Sequence, residues 1–187
     1  MPAAGAAVLR DREGRVVLRF ERSLPHAPER VWQALISVDE LTAWHPTPFE
    51  LEPSPGGTVR FRADLGGPEM PQGKVLAYDP PRTLAYTWGE DELRFTLTAT
   101  GERCLLVLEH TFEDRMKAAR DAAGWELCLR ALERALAGEA GRLADDGGGP
   151  WAELNRDYEE RFGIAPEDAT PPPPREEIER WRSRPAT

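Results

Sequence analysis

Few side chains in this sequence could do chemistry, and their spacing narrows the choice. The histidines are His26, His45 and His110, and the cysteines are Cys104 and Cys128. No pair of histidines has metal-ligand spacing and the cysteines lack a CxxC arrangement, so neither a metal site nor a redox motif is expected. Strand alternation turns His110 alone of the histidines toward the apolar side of the chain. There it reads either as a polar handle or general base, or as a hydrogen-bonded core histidine. Tyr86 shares that side, and its hydroxyl needs a partner if buried, for which His110 is the natural choice. His45, in the stretch WHP, is expected near a cavity mouth, and His26 in an exposed loop. No nucleophile elbow, Gly-rich phosphate loop or HExxH helix occurs, which leaves hydrolase, nucleotide and metalloprotease readings without support. No residue is assigned as catalytic, and no cofactor is expected.

The aromatic side chains carry more information than the titratable ones. Trp44, Phe61, Tyr86, Trp88, Phe95, Phe112 and Trp125 outnumber what one helix of ordinary width needs to bury. With Leu129 and His110 they are the residues expected to line a site for a small hydrophobic or aromatic molecule, unless the same rings simply fill a solid core. Asp64 and Glu69, in the loop DLGGPEMPQG, could add a polar rim. That loop is either a lid or an ordinary irregular connection.

A long helix over Met116 to Leu136 is the element that must organise these residues. Ala122, Trp125, Leu129, Leu132 and Leu136 recur at spacings of three and four and form one apolar stripe. Lys117, Arg120, Glu126, Arg130, Glu133 and Arg134 give the other side a solvated character. Gly124, inside the helix, costs roughly 1 kcal/mol against alanine and points to a close approach of another group. Upstream, Arg15 to Leu24 alternates as a strand, and 27 to 44 reads as two short helices, the second capped by Asp39, with helix formation stopped by Pro46. Short runs at 56–63, 73–79, 82–88, 93–99 and 103–112 then form an antiparallel meander. A two-residue turn at Gly101-Glu102 sets Ala99 opposite Cys104, Leu97 opposite Leu106, Phe95 opposite Leu108 and Leu93 opposite His110. Leu84, Tyr86 and Trp88 fall on the same face whether the turn after them, at Gly89 to Glu92, holds two or four residues. One aromatic-rich sheet face and one helix stripe are complementary, so a curved antiparallel sheet wrapped around the helix is the economical α+β architecture.

Composition bounds the function. A net charge of -9 with interleaved acids and bases argues against nucleic acid and acidic lipids as partners. The charged face of the long helix excludes it as a membrane span. The N-terminus lacks a basic segment followed by an apolar core of signal length, so a cytoplasmic location is expected. Beyond 138 the character changes, which divides the chain into a domain at 1–138 and a linker with a helical tail at 139–187. In the tail, Trp151, Leu154, Tyr158 and Phe162 line one side of a helix that Gly163 stops. That side must dock on the sheet domain or on a second subunit, which would make a homodimer. A Pro-rich spacer and a short charged helix anchored by Ile178 and Trp181 complete the tail.

Taken together, PERVWQALISVDELTAWHP (28–46), GGTVRF (56–61), GKVLAYDPPRTLAYTW (73–88), LLVLEHTF (105–112) and AAGWELCLRALERAL (122–136) resemble the START-like superfamily, also called SRPBCC. More narrowly they resemble its branch homologous to the heat-shock-protein ATPase activator. The resemblance covers about residues 15 to 138 and implies the helix-grip fold with a cavity between sheet and long helix. It also implies that such a cavity holds an apolar small molecule. Three functions follow: a non-catalytic binder of a hydrophobic or aromatic molecule, a cyclase, dehydratase or hydrolase using His110 and Tyr86, or a chaperone-related interaction module.

Overall fold

The computed structural model describes residues 6–65, 70–139 and 149–170. Elements follow in the order β1 (Val8–Arg12), β2 (Arg15–Leu24), α1 (Pro28–Ile36), α2 (Val38–Trp44), β3 (Phe49–Leu51) and β4 (Thr58–Phe61). Then come β5 (Gly73–Asp79), β6 (Thr83–Trp88), β7 (Asp91–Thr100), β8 (Arg103–Phe112), α3 (Ala118–Leu136) and α4 (Gly149–Phe162). The eight strands form one antiparallel sheet in the order β1-β2-β8-β7-β6-β5-β4-β3. Glu69, expected to add to a polar rim, and the short helix expected after the Pro-rich spacer lie outside the described residues.

Turn chemistry and alternation fix the register. Thr100 pairs with Arg103 across Gly101-Glu102, and Ala99, Leu97, Phe95 and Leu93 face Cys104, Leu106, Leu108 and His110. The turn into β7 is also of two residues, Gly89-Glu90, because Trp88 pairs with Asp91. Leu84, Tyr86, Leu93, Phe95, Leu106, Leu108, His110 and Phe112 are all buried on the helix side of the sheet, whereas Ala99 lies at the exposed end of its strand. On α3 the predicted stripe is buried throughout. The helix starts at Ala118 after a 3-10 turn at Arg115–Lys117.

Five details depart from the sequence reading. A strand, β1, precedes the expected turn, and Glu13 and Gly14 both take positive φ to make a two-residue hairpin. Its alternation is too short and polar to stand out. A three-residue strand, β3, pairs with β4 where irregular chain was expected. The N-cap of α2 is Ser37, not Asp39. A Cβ built at Gly124 meets nothing within 4 Å, so that glycine serves no close approach. Glu126, expected on the wet side of α3, is buried and bonds Arg22 at 2.9 Å and Arg130 at 3.1 Å.

The last departure has a structural cause. Helix α4 lies across α3 of the same chain, so the apolar side of the tail is covered in cis. Tyr158 is buried in that contact, where its hydroxyl donates to Glu126 Oε2 (3.2 Å) and accepts from the Ala7 amide (3.1 Å). Arg161 donates to the Ala7 carbonyl and Arg115 to the Phe162 carbonyl. Gly163 takes φ +63° and ends the helix, as its sequence position suggests. No helix among the described residues is long and apolar enough to cross a membrane.

Candidate functional site

The end of the fold where the β6–β7 turn meets the start of α3 gathers the inward polar groups. Asp91 shares the parity of Leu93 and Phe95 on β7, so it faces the helix. Lys117, Asp121 and Trp125 follow each other at spacings of four, which places them on one side of the turn and helix that face the sheet. Between these two sets stands His110, completely buried on β8. The Trp125 indole N–H donates to His110 Nδ1 at 3.1 Å, and the His110 Nε2–H donates to Asp91 Oδ2 at 2.8 Å. Because Nδ1 accepts from a group that can only donate, the hydrogen-bond network assigns the ring proton to Nε2.

Charges at this end are matched. Lys117 Nζ donates to Asp91 Oδ2 at 2.6 Å and lies 3.9 Å from Asp121, whose other oxygen takes a bond from Arg120 at 2.9 Å. Burial by itself would raise the Asp91 carboxyl. The hydrogen bond from His110 and the Lys117 ammonium outweigh it and hold the group below the usual carboxylate range. The ammonium also sits 4.9 Å above the centre of the Phe112 ring. Asp91, His110 and Asp121 have ligand atoms within 4.8 Å of one another. A cation there would have to displace Lys117, which already bonds one of those carboxylates.

A second polar pair lies deeper. His45 follows the last turn of α2 and is buried, with Nδ1 donating to the Thr47 carbonyl at 2.8 Å and Nε2 accepting from the Tyr86 hydroxyl at 2.9 Å. We assign that tautomer from the shorter of the two Thr47 contacts, the Thr47 amide standing 3.1 Å from the same nitrogen. Burial lowers the His45 pKa to about 3, against a smaller opposing effect of the Thr47 carbonyl. Burial also raises the Tyr86 phenol well above its ordinary value. The thiol of Cys128 is pushed up by the same cause, which leaves it unreactive.

The residues expected to line a ligand site therefore separate into two groups. Trp44, Tyr86, Phe95, Phe112, Trp125, Leu129 and His110 are buried. Several of these rings touch directly: Trp44 and Phe95 at 6.1 Å, Tyr86 and Phe95 at 6.4 Å, and Phe95 and Trp125 at 6.4 Å between centroids. Phe61 and Trp88 are only half-buried. Trp88 stands 5.7 Å from both the His110 and Trp125 rings, and its Nε1 is shielded yet bonded to nothing.

Two expectations are corrected by this geometry. His45 is not at a cavity mouth but inside, because α2 turns its C-terminal end onto the sheet face. Tyr86 and His110 do not pair: Tyr86 bonds His45, while His110 spends one nitrogen on Asp91 and the other on Trp125. The single lone pair of the His110 ring is thus engaged by Trp125, and His110 and Tyr86 do not bond each other. Sequence reasoning also passed over Asp91 and Asp121 and set Lys117 on the solvated side of the helix, where it is instead largely shielded and bonded to Asp91, although strand parity and the spacing of four from Trp125 pointed to all three.

A curved antiparallel sheet holding one long helix, with two short helices after the second strand, defines a START-like helix-grip protein. Residues 25–137 match the model of the family described as Activator of Hsp90 ATPase homolog 1-like protein, and the chain belongs to that family. A Bordetella parapertussis protein solved by NMR is 32% identical, with a TM-score of 0.66 over 84% of this chain and 90% of its own. A conserved protein of unknown function from Enterococcus faecalis is 21% identical, with a TM-score of 0.67 over 84% of this chain and 90% of its own. CalU16 from Micromonospora echinospora is 17% identical, with a TM-score of 0.63 over 85% of this chain and 94% of its own. The last two likenesses concern the fold. A search of the curated proteins finds no match.

Proposed function

We propose that this protein binds a small hydrophobic or aromatic molecule between the sheet and α3, at the end marked by Trp88. One observation carries the reading. Among the described residues only two buried side-chain nitrogens lack a hydrogen-bond partner, Arg15 Nε and Trp88 Nε1. Arg15 spends its guanidinium elsewhere, on the Thr111 carbonyl. Trp88 has no other polar atom, so its only donor is unspent, at a desolvation cost of about 1–3 kcal/mol. A partly exposed ring against two buried aromatic neighbours offers apolar contact area, and its shielded N–H offers one directional bond. The deeper rings already pack on one another, so the ligand sits at the Trp88 and Phe61 end and not along the whole of α3.

The reading is non-catalytic, since the histidines that could move protons are saturated by protein partners. Native mass spectrometry of the purified protein, followed by denaturing extraction, identifies any molecule it retains. Titration of isotope-labelled protein with naphthalene is then followed at the indole N–H signals of the six tryptophans. Saturable shifts of the Trp88 and Trp125 signals are expected. Shifts confined to Trp151 on α4, or no saturation, would refute the assignment.

A further inference from the structure

The groups around Trp88 say what kind of ligand this end accepts. Three N–H-bearing rings meet there. Two of them are spent, since Trp125 donates to His110 and His110 donates to Asp91. Only the Trp88 indole retains a donor, and an indole can donate but never accept. A ligand atom that meets it must therefore be an acceptor, which favours oxygen over a bare hydrocarbon edge.

Charge decides between acceptors. Lys117 is matched by Asp91 and Arg120 by Asp121, so two cations face two carboxylates and no positive charge is left over. Lys117 and Asp91 are each largely shielded from solvent, with side-chain exposures of 18% and 14%. A carboxylate entering beside them would shed its water with no net counter-charge to replace it, at an end of the fold that already carries Asp91 and Asp121. An uncharged oxygen loses far less on desolvation and gains the same hydrogen bond.

We propose that Trp88 selects a ligand bearing an uncharged acceptor oxygen, a ketone or an ether, and that Asp91 and Asp121 turn the corresponding acids away. The inference rests on the binding reading above and adds the discriminating residues. It gives Asp91 two tasks: it holds His110 in one tautomer, and it cancels the Lys117 charge that would otherwise attract anions.

Matched probes test it on the full chain. 2-Acetylnaphthalene and 2-naphthoate share a ring system and differ in presenting a ketone or a carboxylate. Calorimetric titration of the wild-type protein should show the ketone binding at least about tenfold more tightly than the acid. In Trp88→Phe the ketone should weaken about fivefold, toward the affinity of naphthalene, because one hydrogen bond is lost and the ring is kept. In Asp91→Asn, which can still accept from His110, the preference for the ketone should narrow by about tenfold as Lys117 becomes unbalanced. Equal or tighter binding of the acid by the wild type would overturn the selectivity while leaving the binding reading intact. Binding of none of naphthalene, the ketone and the acid would overturn both. The wild-type comparison decides the matter even if Asp91→Asn fails to fold.

Discussion

Burial of His45 makes the stability of this protein depend on pH in a specific window. In the unfolded chain this imidazole takes its ordinary value of 6.5, and in the folded protein burial lowers it to about 3. A histidine shifted down contributes its full share of stability above the unfolded value, where it is neutral in both states. As pH falls below 6.5 the unfolded chain takes up a proton that the folded chain refuses, so stability declines until the folded value is reached. Between about pH 7.5 and about pH 5 the loss amounts to roughly 2 kcal/mol, at about 1.36 kcal/mol per unit of pH below the unfolded value. For a chain of this size that is roughly a 4–8 °C fall in Tm. Asp91 and Glu52, whose carboxyls are held low, lose their contributions only at more acidic pH.

The perturbation that isolates this contribution is His45→Gln, which keeps a polar side chain of similar reach beside Tyr86 but cannot titrate. Urea unfolding of both proteins at the two pH values gives four free energies. The variant starts lower at neutral pH, since it packs less well against the Phe49 and Trp125 rings that flank the imidazole at 5.3 and 5.6 Å. Its decline on acidification should be smaller than that of the wild type by about 2 kcal/mol. Equal declines in the two proteins would refute the argument, because they would mean that His45 reaches solvent or finds an acceptor for its second proton.

Two further outcomes follow from the helices. Gly124→Ala should raise stability by about 0.5–1 kcal/mol, since the position is helical and a Cβ there meets nothing within 4 Å; loss of stability on thermal unfolding would show that the glycine is needed for packing after all. Tyr158→Phe should cost about 1–2 kcal/mol and speed hydrogen exchange of the Ala7 amide, because the hydroxyl is the acceptor for that buried N–H and also a donor to Glu126; unchanged exchange at Ala7 would show that the tail does not hold the N-terminal segment.

How much of this was legible in the chain depends on the range of the interactions concerned. Strand parity and two-residue turns are local, and they place Leu93 opposite His110 and put Tyr86 and Trp88 on the helix side. The stripe on α3 was equally local. Parity would also have placed Asp91 on that side, and a spacing of four from Trp125 would have added Asp121 and Lys117. Charged side chains at such positions ordinarily stay solvated, whereas here each one finds an opposite charge within the fold.

Pairing across elements is another matter. Which donor meets which acceptor depends on the angle at which α2 returns to the sheet and on the depth to which α3 sinks. That geometry gives Tyr86 to His45 and leaves His110 between Asp91 and Trp125. The wet side of α3 likewise reads as charged in sequence, and only the docking of α4 makes Glu126 a buried hub for Arg22, Arg130 and Tyr158. The sequence by itself determined the sheet-and-helix architecture and the inward apolar side chains, because periodicity and turn type are properties of neighbouring residues, and its motifs resembled the family. Only the tertiary structure decided which of those side chains are spent on one another and that Trp88 keeps its donor, because hydrogen bonds between distant segments have no signature in local spacing.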